Sequence, residues 1–532
     1  MVCKNCGAQI SKGDKYCPNC GQICSDKSSL ITGRNPGRLL KQWLLILSFL
    51  ILAVGGGIFW FVNRSATLSG SLTGDTLGLL SLSLEDEEGN ELPISTNEEG
   101  YFTVDFHPGD YTFSVQYEED QLMSLPIHGD PGDEIDLDNL LSGIFDSRAF
   151  NKAETHNESL RTQFEAWLGN FGNFGEWNSQ EWLQNSAGIS SRFQAWTLTP
   201  VNNFYLAAYT VNKNGEAYET RDYRYGENGE LLLSHRVTDY DSEYGAYVTD
   251  TYYDENGNVV RIYGTNAGYS WVQTNTYDDN QRLLSSTEDG VLTRYSYAEN
   301  GNLVSEEEST DSQAETTYKY SYKYNDCSQI VEEVSTRMGA TSGLSDELWH
   351  KIEFTYSEDG NMKQSSYMGY HAIGFTFPAP IRMTVNFTSD GYVKDGTLQG
   401  EKYGSFVYDP YGNCVEATWA VHGDTTAVFI NSLLTTGALP SINGYAHTKV
   451  AWIGPCPLYR YTEFDSILGL PPTTDLYHYN SNGQMIEYTY HQIESGIDGY
   501  SLSPISATYK YATLDELLYD GGVPVNELEK YA

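Results

Sequence analysis

Beyond residue 42 the chain has little positive charge. Seven of its 31 Lys and Arg residues fall in the first 42 positions, against two of its 72 Asp and Glu, leaving 24 basic and 70 acidic residues in the remainder. Nucleic-acid binding depends on neutralising phosphates with Lys and Arg, so this balance excludes it for the long C-terminal part. Cysteine is equally scarce there. Only Cys327, Cys414 and Cys456 follow Cys24, and three scattered thiols make no disulfide framework; they read as small buried hydrophobes. Catalytic signatures are missing as well. No HExxH, GxSxG, Walker loop or Rossmann glycine pattern occurs, and the ten histidines are dispersed. The acidic runs "DYDSEYG" at 239–245 and "DPGDEIDLD" at 130–138 lack the ligand spacing of an EF-hand. The acid excess itself reads as a solvated, self-repelling surface.

One long apolar run is present. "WLLILSFLILAVGGGIFWFV", residues 43–62, carries no charge, and as a helix it would span about 30 Å, the thickness of a hydrocarbon core. Trp43 and Trp60 stand near its two ends, where interfacial aromatics are favoured. A cleaved signal peptide or a buried helix are the alternatives, but "NRSATLSG" follows without an A-x-A site. Residues 24–42 then form a basic juxtamembrane linker. Arg34, Arg38 and Lys41 precede the run and only Arg64 follows closely. The positive-inside rule therefore predicts a single-pass cell-membrane protein with a cytoplasmic N-terminus and residues 66–532 extracytoplasmic.

The N-terminal head concentrates the cysteines. Cys3-x-x-Cys6 and Cys17-x-x-Cys20 are separated by ten residues, with Gly7 and Gly21 after each pair. Four thiolates suit tetrahedral Zn²⁺, and a site closed by four protein ligands is structural. A head this short has almost no apolar core, so metal binding would supply its folding energy. A disulfide pair and an iron–sulfur or redox site are the competing readings. Residues 1–23 resemble the zinc ribbon found at the N-terminus of many bacterial membrane proteins, which implies those four cysteines as ligands and nothing more; a cytoplasmic protein partner is a separate expectation for the head. Nucleic acid is the other ligand such ribbons take, and this head lacks a clustered basic and aromatic surface for it.

Residues 66–145 read as a small β-sandwich. Leu80, Leu82 and Leu84 alternate with serines before a Gly89-Asn90 turn. Phe102, Val104 and Phe106, then Tyr111, Phe113 and Val115, give the period of two expected of half-buried strands. "GYFTVDFHPGDYTFSV" resembles the carboxypeptidase-regulatory-like fold through Gly100, Phe102, Gly109 and Tyr111; that resemblance implies a spacer or binding module, not a catalyst. Residues 146–200 change to a helical connector, with Leu160, Phe164, Trp167 and Leu168 at helical spacing.

From Tyr205 onward the chain holds 38 of its 42 tyrosines and repeats one phrase. "YDENGNVV" (253–260) and "YAENGNLV" (297–304) are its clearest forms, and nine copies are anchored on Tyr225, Tyr253, Tyr277, Tyr297, Tyr324, Tyr356, Phe387, Tyr408 and Tyr479. In "YKYSYKY" the tyrosines 318, 320, 322 and 324 fall on one strand face. Asn and Gly in the phrase tolerate the positive φ of a tight turn. Each copy is thus strand, turn, strand, and single hairpins need neighbours to cover their aromatic faces. The copies, over about residues 205–490, resemble the YD repeats of Rhs-type and teneurin-type proteins, and also shorter MORN-type and antitoxin-type Y-x-x-N-G repeats. In Rhs proteins such repeats wind into a shell that can enclose a toxin. Here nine unevenly spaced copies predict an open, curved antiparallel meander or solenoid spanning 205–512, with an irregular insertion at about 417–475 and a short cap at 513–532.

The overall expectation is a mainly β protein: zinc ribbon, transmembrane helix, β-sandwich and open repeat sheet. Its predicted function is that of a surface-displayed scaffold binding an extracellular glycan or protein through the repeat face, without catalysis. Trp419, Trp452, Tyr459 and Tyr461, in the irregular stretch, are the candidate aromatic contacts. The alternative is a hydrolase of cell-envelope polymer whose paired carboxylates meet within the repeats.

Overall fold

A computed structural model of the protein describes residues 64–144 and 200–518, apart from 76–77, 240–245, 267–268, 311–315, 339–346, 373–374, 391, 411, 423–441 and 497–498. The four ribbon cysteines, the apolar run 43–62 and almost all of the connector 146–200 lie outside the described residues.

The repeated phrase sets the local geometry. The Asp254 N–H donates to the Asn258 carbonyl, and the Gly257 N–H donates to the Asp254 carbonyl. The Asp254 carboxylate accepts from the backbone N–H groups of Asn256 and Asn258 and from the Asn258 side chain. Burial alone would raise the Asp254 pKa, but these bonds outweigh it and hold the carboxyl below its usual range. Gly257 has φ +81°, and the strand register slips between Tyr252 and Tyr253. This is a tight turn closed by a one-residue bulge. The same pair of backbone bonds recurs at 226–230, 278–282, 298–302, 325–329, 357–361, 409–413 and 480–484. A Cβ at Gly257 would meet nothing within 4 Å, so Gly257→Ala isolates the backbone cost of the left-handed conformation. Chemical denaturation should show a loss of about 1 kcal/mol, with Gly257→Asn losing less.

The phrase also joins one hairpin to the next. The Tyr277 hydroxyl donates to the Val259 carbonyl at 2.9 Å, Tyr297 to Leu283 at 2.9 Å and Tyr356 to Ile330 at 2.7 Å. Each acceptor sits at the start of the neighbouring strand. Val259, for example, precedes the Arg261–Thr274 pair at which the ladder to the next strand begins. The anchor tyrosine therefore satisfies a carbonyl that the sheet leaves over. Side-chain amides link successive turns: Gln329 donates to the Gly360 carbonyl at 2.6 Å and Asn361 to the Ser389 carbonyl at 2.7 Å.

These hairpins form a ring, not an open sheet. Twenty-two antiparallel strands run in chain order from β8 (Phe204–Lys213) to β29 (Gly499–Thr513). β29 then pairs with β8 from Thr513–Phe204 to Ile505–Lys213. Gln484 adds a rim bond across the closure, donating to the Phe204 carbonyl at 3.1 Å. The expected open meander or solenoid is thus corrected to a closed barrel. Its physical cause is strand supply. The nine phrases provide eighteen strands; β8, β25 (Ile442–Ile453), β26 (Cys456–Phe464) and β29 supply the other four without carrying the phrase.

The single-pass membrane localisation is corrected as well. The described chain is organised as a closed barrel, and no helix among the described residues is long and apolar enough to cross a membrane, which says nothing of strands. The two helices described are short, α1 (Leu137–Ile144) and α2 (Leu514–Leu517).

The segment before the barrel forms two facing sheets. β1 (Ala66–Thr73) pairs with β4 (Tyr101–Phe106) and β7 (Glu134–Asp136); β2 (Leu80–Asp86) pairs with β3 (Glu91–Ile94) and β5 (Gly109–Tyr117), which pairs with β6 (Asp120–Gly129). Leu68, Leu84, Phe102, Phe113 and Leu122 are buried between them. β1 continues onto the barrel, where Leu72 and Thr73 pair with Ile453 and Trp452. Gly74 lies so close to the Val450 carbonyl that a Cβ would stand 2.0 Å from its oxygen. Thr73 donates to Asp409 at 2.7 Å, and Tyr459 donates to Asp75 at 2.9 Å.

Candidate functional site

A closed barrel has one concave and one convex face, and side chains crowd together only on the first. Counting back by twos from the anchor tyrosines defines a face whose side chains are buried or half-buried along the ring. In β15 (Val291–Tyr297), Thr293, Tyr295 and Tyr297 are half-buried, whereas Arg294 and Ser296 are exposed. The tyrosine face is therefore the concave one.

Its packing is uneven. From β18 (Ile330–Arg337) to β25 it is closed by apolar groups, among them Ile352, Phe354, Met383, Val385, Phe406 and Trp419. From β11 (Ala246–Tyr253) to β16 (Leu303–Thr310) it is half-open and polar. The Trp271 indole N–H donates to the Tyr247 hydroxyl at 2.8 Å. Gln273 donates to Ser286 at 3.1 Å and to Asn275 at 3.2 Å, and Asn275 donates to the Val259 carbonyl at 2.8 Å. Glu288 and Glu308 stand on the same face, and partial burial raises the pKa of both carboxyls. Tyr322 donates to the buried Glu306. Aromatic rings beside amides and carboxylates on a concave wall suit a polyhydroxylated ligand: rings stack on its apolar faces and polar groups meet its hydroxyls. Among the described residues no group of three or more His, Cys, Asp and Glu is placed to hold a metal ion.

Three ion-pair clusters share this face. The Glu219 carboxylate lies 2.6 Å from Arg236 and 3.3 Å from Arg221. His350 lies 3.2 Å from Glu333, both buried, between the rings of Tyr320 and Tyr367. Arg460 meets Asp475 at 2.7 Å.

The sequence-predicted aromatics are placed otherwise. Trp419 is 1% exposed within the apolar sector. Trp452, also 1% exposed, donates its indole N–H to the Cys414 carbonyl at 2.9 Å. Tyr459 is fully buried under the sandwich, with its ring 5.6 Å from that of Tyr117. Only Tyr461 reaches solvent, and it donates to Glu463 at 3.0 Å. They do not form one surface. Sequence reasoning missed Gln273, Glu288, Glu308 and the three ion-pair clusters. A signal was available, because Arg221 and Glu219 lie four and six residues before the anchor Tyr225, and Asp475 four before Tyr479.

The convex face is solvated in the sector around β17 (Thr316–Tyr324). Lys319 pairs with Glu307, Lys323 with Glu332, and Lys351 with both Glu332 and Glu353. A lipid-facing barrel carries an apolar band at such mid-strand positions. On the same face His235 lies 2.6 Å from Asp250, a hydrogen bond that raises the His235 pKa above its ordinary 6.5. The stabilisation from this pair is fully present below pH 6.5 and is lost as pH rises through the raised value. Proton NMR titration should find His235 above 6.5, and Asp250→Asn should bring it back down.

Residues 2–23 match the family model described as a zinc-ribbon domain. The chain has no match among curated proteins. Solved structures that it resembles include a porin-like protein from Bacteroides uniformis ATCC 8492, at 9% identity and TM-score 0.24, covering 59% of this chain and 98% of that one. A second porin-like protein, from Bacteroides vulgatus ATCC 8482, matches at 10% identity and TM-score 0.15, covering 57% and 99%. TcdB2-TccC3 without its hypervariable C-terminal region matches at 11% identity and TM-score 0.20, covering 57% of this chain and 21% of that one. At these scores none bears on what the chain does.

Proposed function

We propose that this is a surface protein that binds a glycan on the concave wall of its barrel without turning it over. The supporting observation is the polar sector β11–β16. There the wall, which apolar packing closes from β18 to β25, keeps Tyr247, Trp271, Gln273, Asn275, Glu288 and Glu308 half-buried or exposed. The tyrosines of the phrase itself serve the barrel, as their bonds to neighbouring carbonyls show. The test is to apply the full chain to an array of neutral and acidic oligosaccharides, with reducing-end release measured in parallel. Binding without release, lost in Trp271→Ala, supports the reading. Release abolished by Glu288→Gln or Glu308→Gln would replace it with a hydrolase.

The ribbon is read as a structural zinc site held by Cys3, Cys6, Cys17 and Cys20, because paired C-x-x-C knuckles supply four thiolates and leave no open position. The purified chain should carry one zinc per molecule by elemental analysis, and Cys17→Ser should abolish it. The two-sheet domain before the barrel is read as a carboxypeptidase-regulatory-like spacer.

A further inference from the structure

A cationic group stands out on this wall. Arg221, on β9 (Glu216–Tyr225), and Arg236, on β10 (Leu231–Asp239), share the single carboxylate of Glu219. Arg236 holds it at 2.6 Å, so Arg221 is the more distant partner at 3.3 Å. The Arg221 Nε–H is buried and has no acceptor. A guanidinium presents five donors and cannot be discharged by losing a proton. The Tyr223 hydroxyl is hydrogen-bonded to Arg221, but the hydroxyls around the guanidinium do not supply a second anion. Burial raises the pKa of Tyr209, Tyr223 and Tyr253, against the opposing pull of Arg221, and keeps them neutral phenols. Leaving a partly buried charge short of acceptors is costly. The site borders the polar sector, since Arg236 pairs in register with Thr249 of β11.

We propose that Arg221, flanked by Arg236, is a subsite for an anionic oxygen group, a carboxylate, sulfate or phosphate, carried by the bound glycan. This rests on the glycan reading of the polar sector. Arg221 forms a paired, charge-assisted contact to the two oxygens of that group, and the tyrosine hydroxyls donate beside it. Anion recognition here is local. The rest of the molecule is acidic, so selectivity comes from the paired geometry and not from long-range attraction.

The full chain and its Arg221→Gln and Arg221→Lys variants are applied to an array holding uronate, sulfated and neutral oligosaccharides. Hits are then measured by calorimetry. Arg221→Gln leaves Glu219 with its nearer partner, and thermal melting checks that the variant is folded. The expected result is binding of acidic members, at least tenfold weaker in Arg221→Gln, partly restored in Arg221→Lys and weakened by salt, with neutral members unaffected. If only neutral oligosaccharides bind, or if Arg221→Gln leaves acidic binding unchanged, the anion subsite falls while the glycan reading stands. If the array shows no binding at all, both fall.

Discussion

Asp475→Ala is expected to destabilise the protein by about 3–5 kcal/mol, the usual cost of stranding one member of a buried ion pair. Asp475 is fully buried and Arg460 is 7% exposed. The Arg460 Nε donates to Asp475 at 2.7 Å, and His491 approaches the other carboxylate oxygen at 2.9 Å. Burial works against the charge on Arg460, but Asp475 outweighs it and the guanidinium pKa is raised. Removing the carboxylate leaves that charge in place without its counterion. The double variant Arg460→Met/Asp475→Leu should lose much less than Asp475→Ala, since apolar replacement of a buried pair is often close to neutral. Chemical denaturation of the three proteins decides it. A loss below about 1 kcal/mol for Asp475→Ala would mean that the pair is not buried as described.

Deleting residues 499–532 should have a larger effect. It removes β29, which pairs at ten positions with β28 (Met485–Gly496) and at nine with β8. Two strands would then present unpaired backbone, a template for edge-to-edge association. The anchoring bond from Tyr511 to the Met485 carbonyl would go with it. Size-exclusion chromatography and thermal melting should show aggregation and no cooperative transition. A deletion limited to 519–532 spares every described strand and should melt like the parent. A soluble monomer with the parent's melting behaviour after the longer deletion would show that closure contributes nothing.

The hairpins were legible in the sequence because their determinants are local. A positive-φ glycine at 257, an Asp that caps its own turn at 254 and tyrosines two apart each act within a few residues. Closure was not legible, because it joins residues near 204–213 to residues near 505–513. Neither strand carries the phrase, and chain distance leaves no periodic trace. The irregular stretch misled for a related reason. Trp419, Trp452 and Tyr459 read as ligand contacts because their stretch departs from the repeat, yet that stretch contributes β25 and β26 to the ring, and their large side chains are buried. The charged residues of the concave face were hidden by their ordinariness. Arg221 or Asp475 alone looks like any surface residue; only its parity with the following tyrosines places it inside. The zinc ribbon was readable by spacing alone and matches its family model over residues 2–23.

Closure of the barrel is the claim on which the concave site depends, and a cross-link across the seam tests it most directly. Thr210 and Thr508 are directly opposed in the β8–β29 register. In a chain with Cys327, the exposed one among the described cysteines, replaced by Ser, Thr210→Cys/Thr508→Cys should form an intramolecular disulfide in high yield, identified by mass spectrometry of the linked peptides. Opposed strand residues bring their Cβ atoms to about 5 Å. In an open sheet of the same strands the two positions would lie about 100 Å apart at ordinary strand spacing. A folded chain in which both cysteines stay reduced, or one that links only into covalent dimers, would contradict the closed barrel.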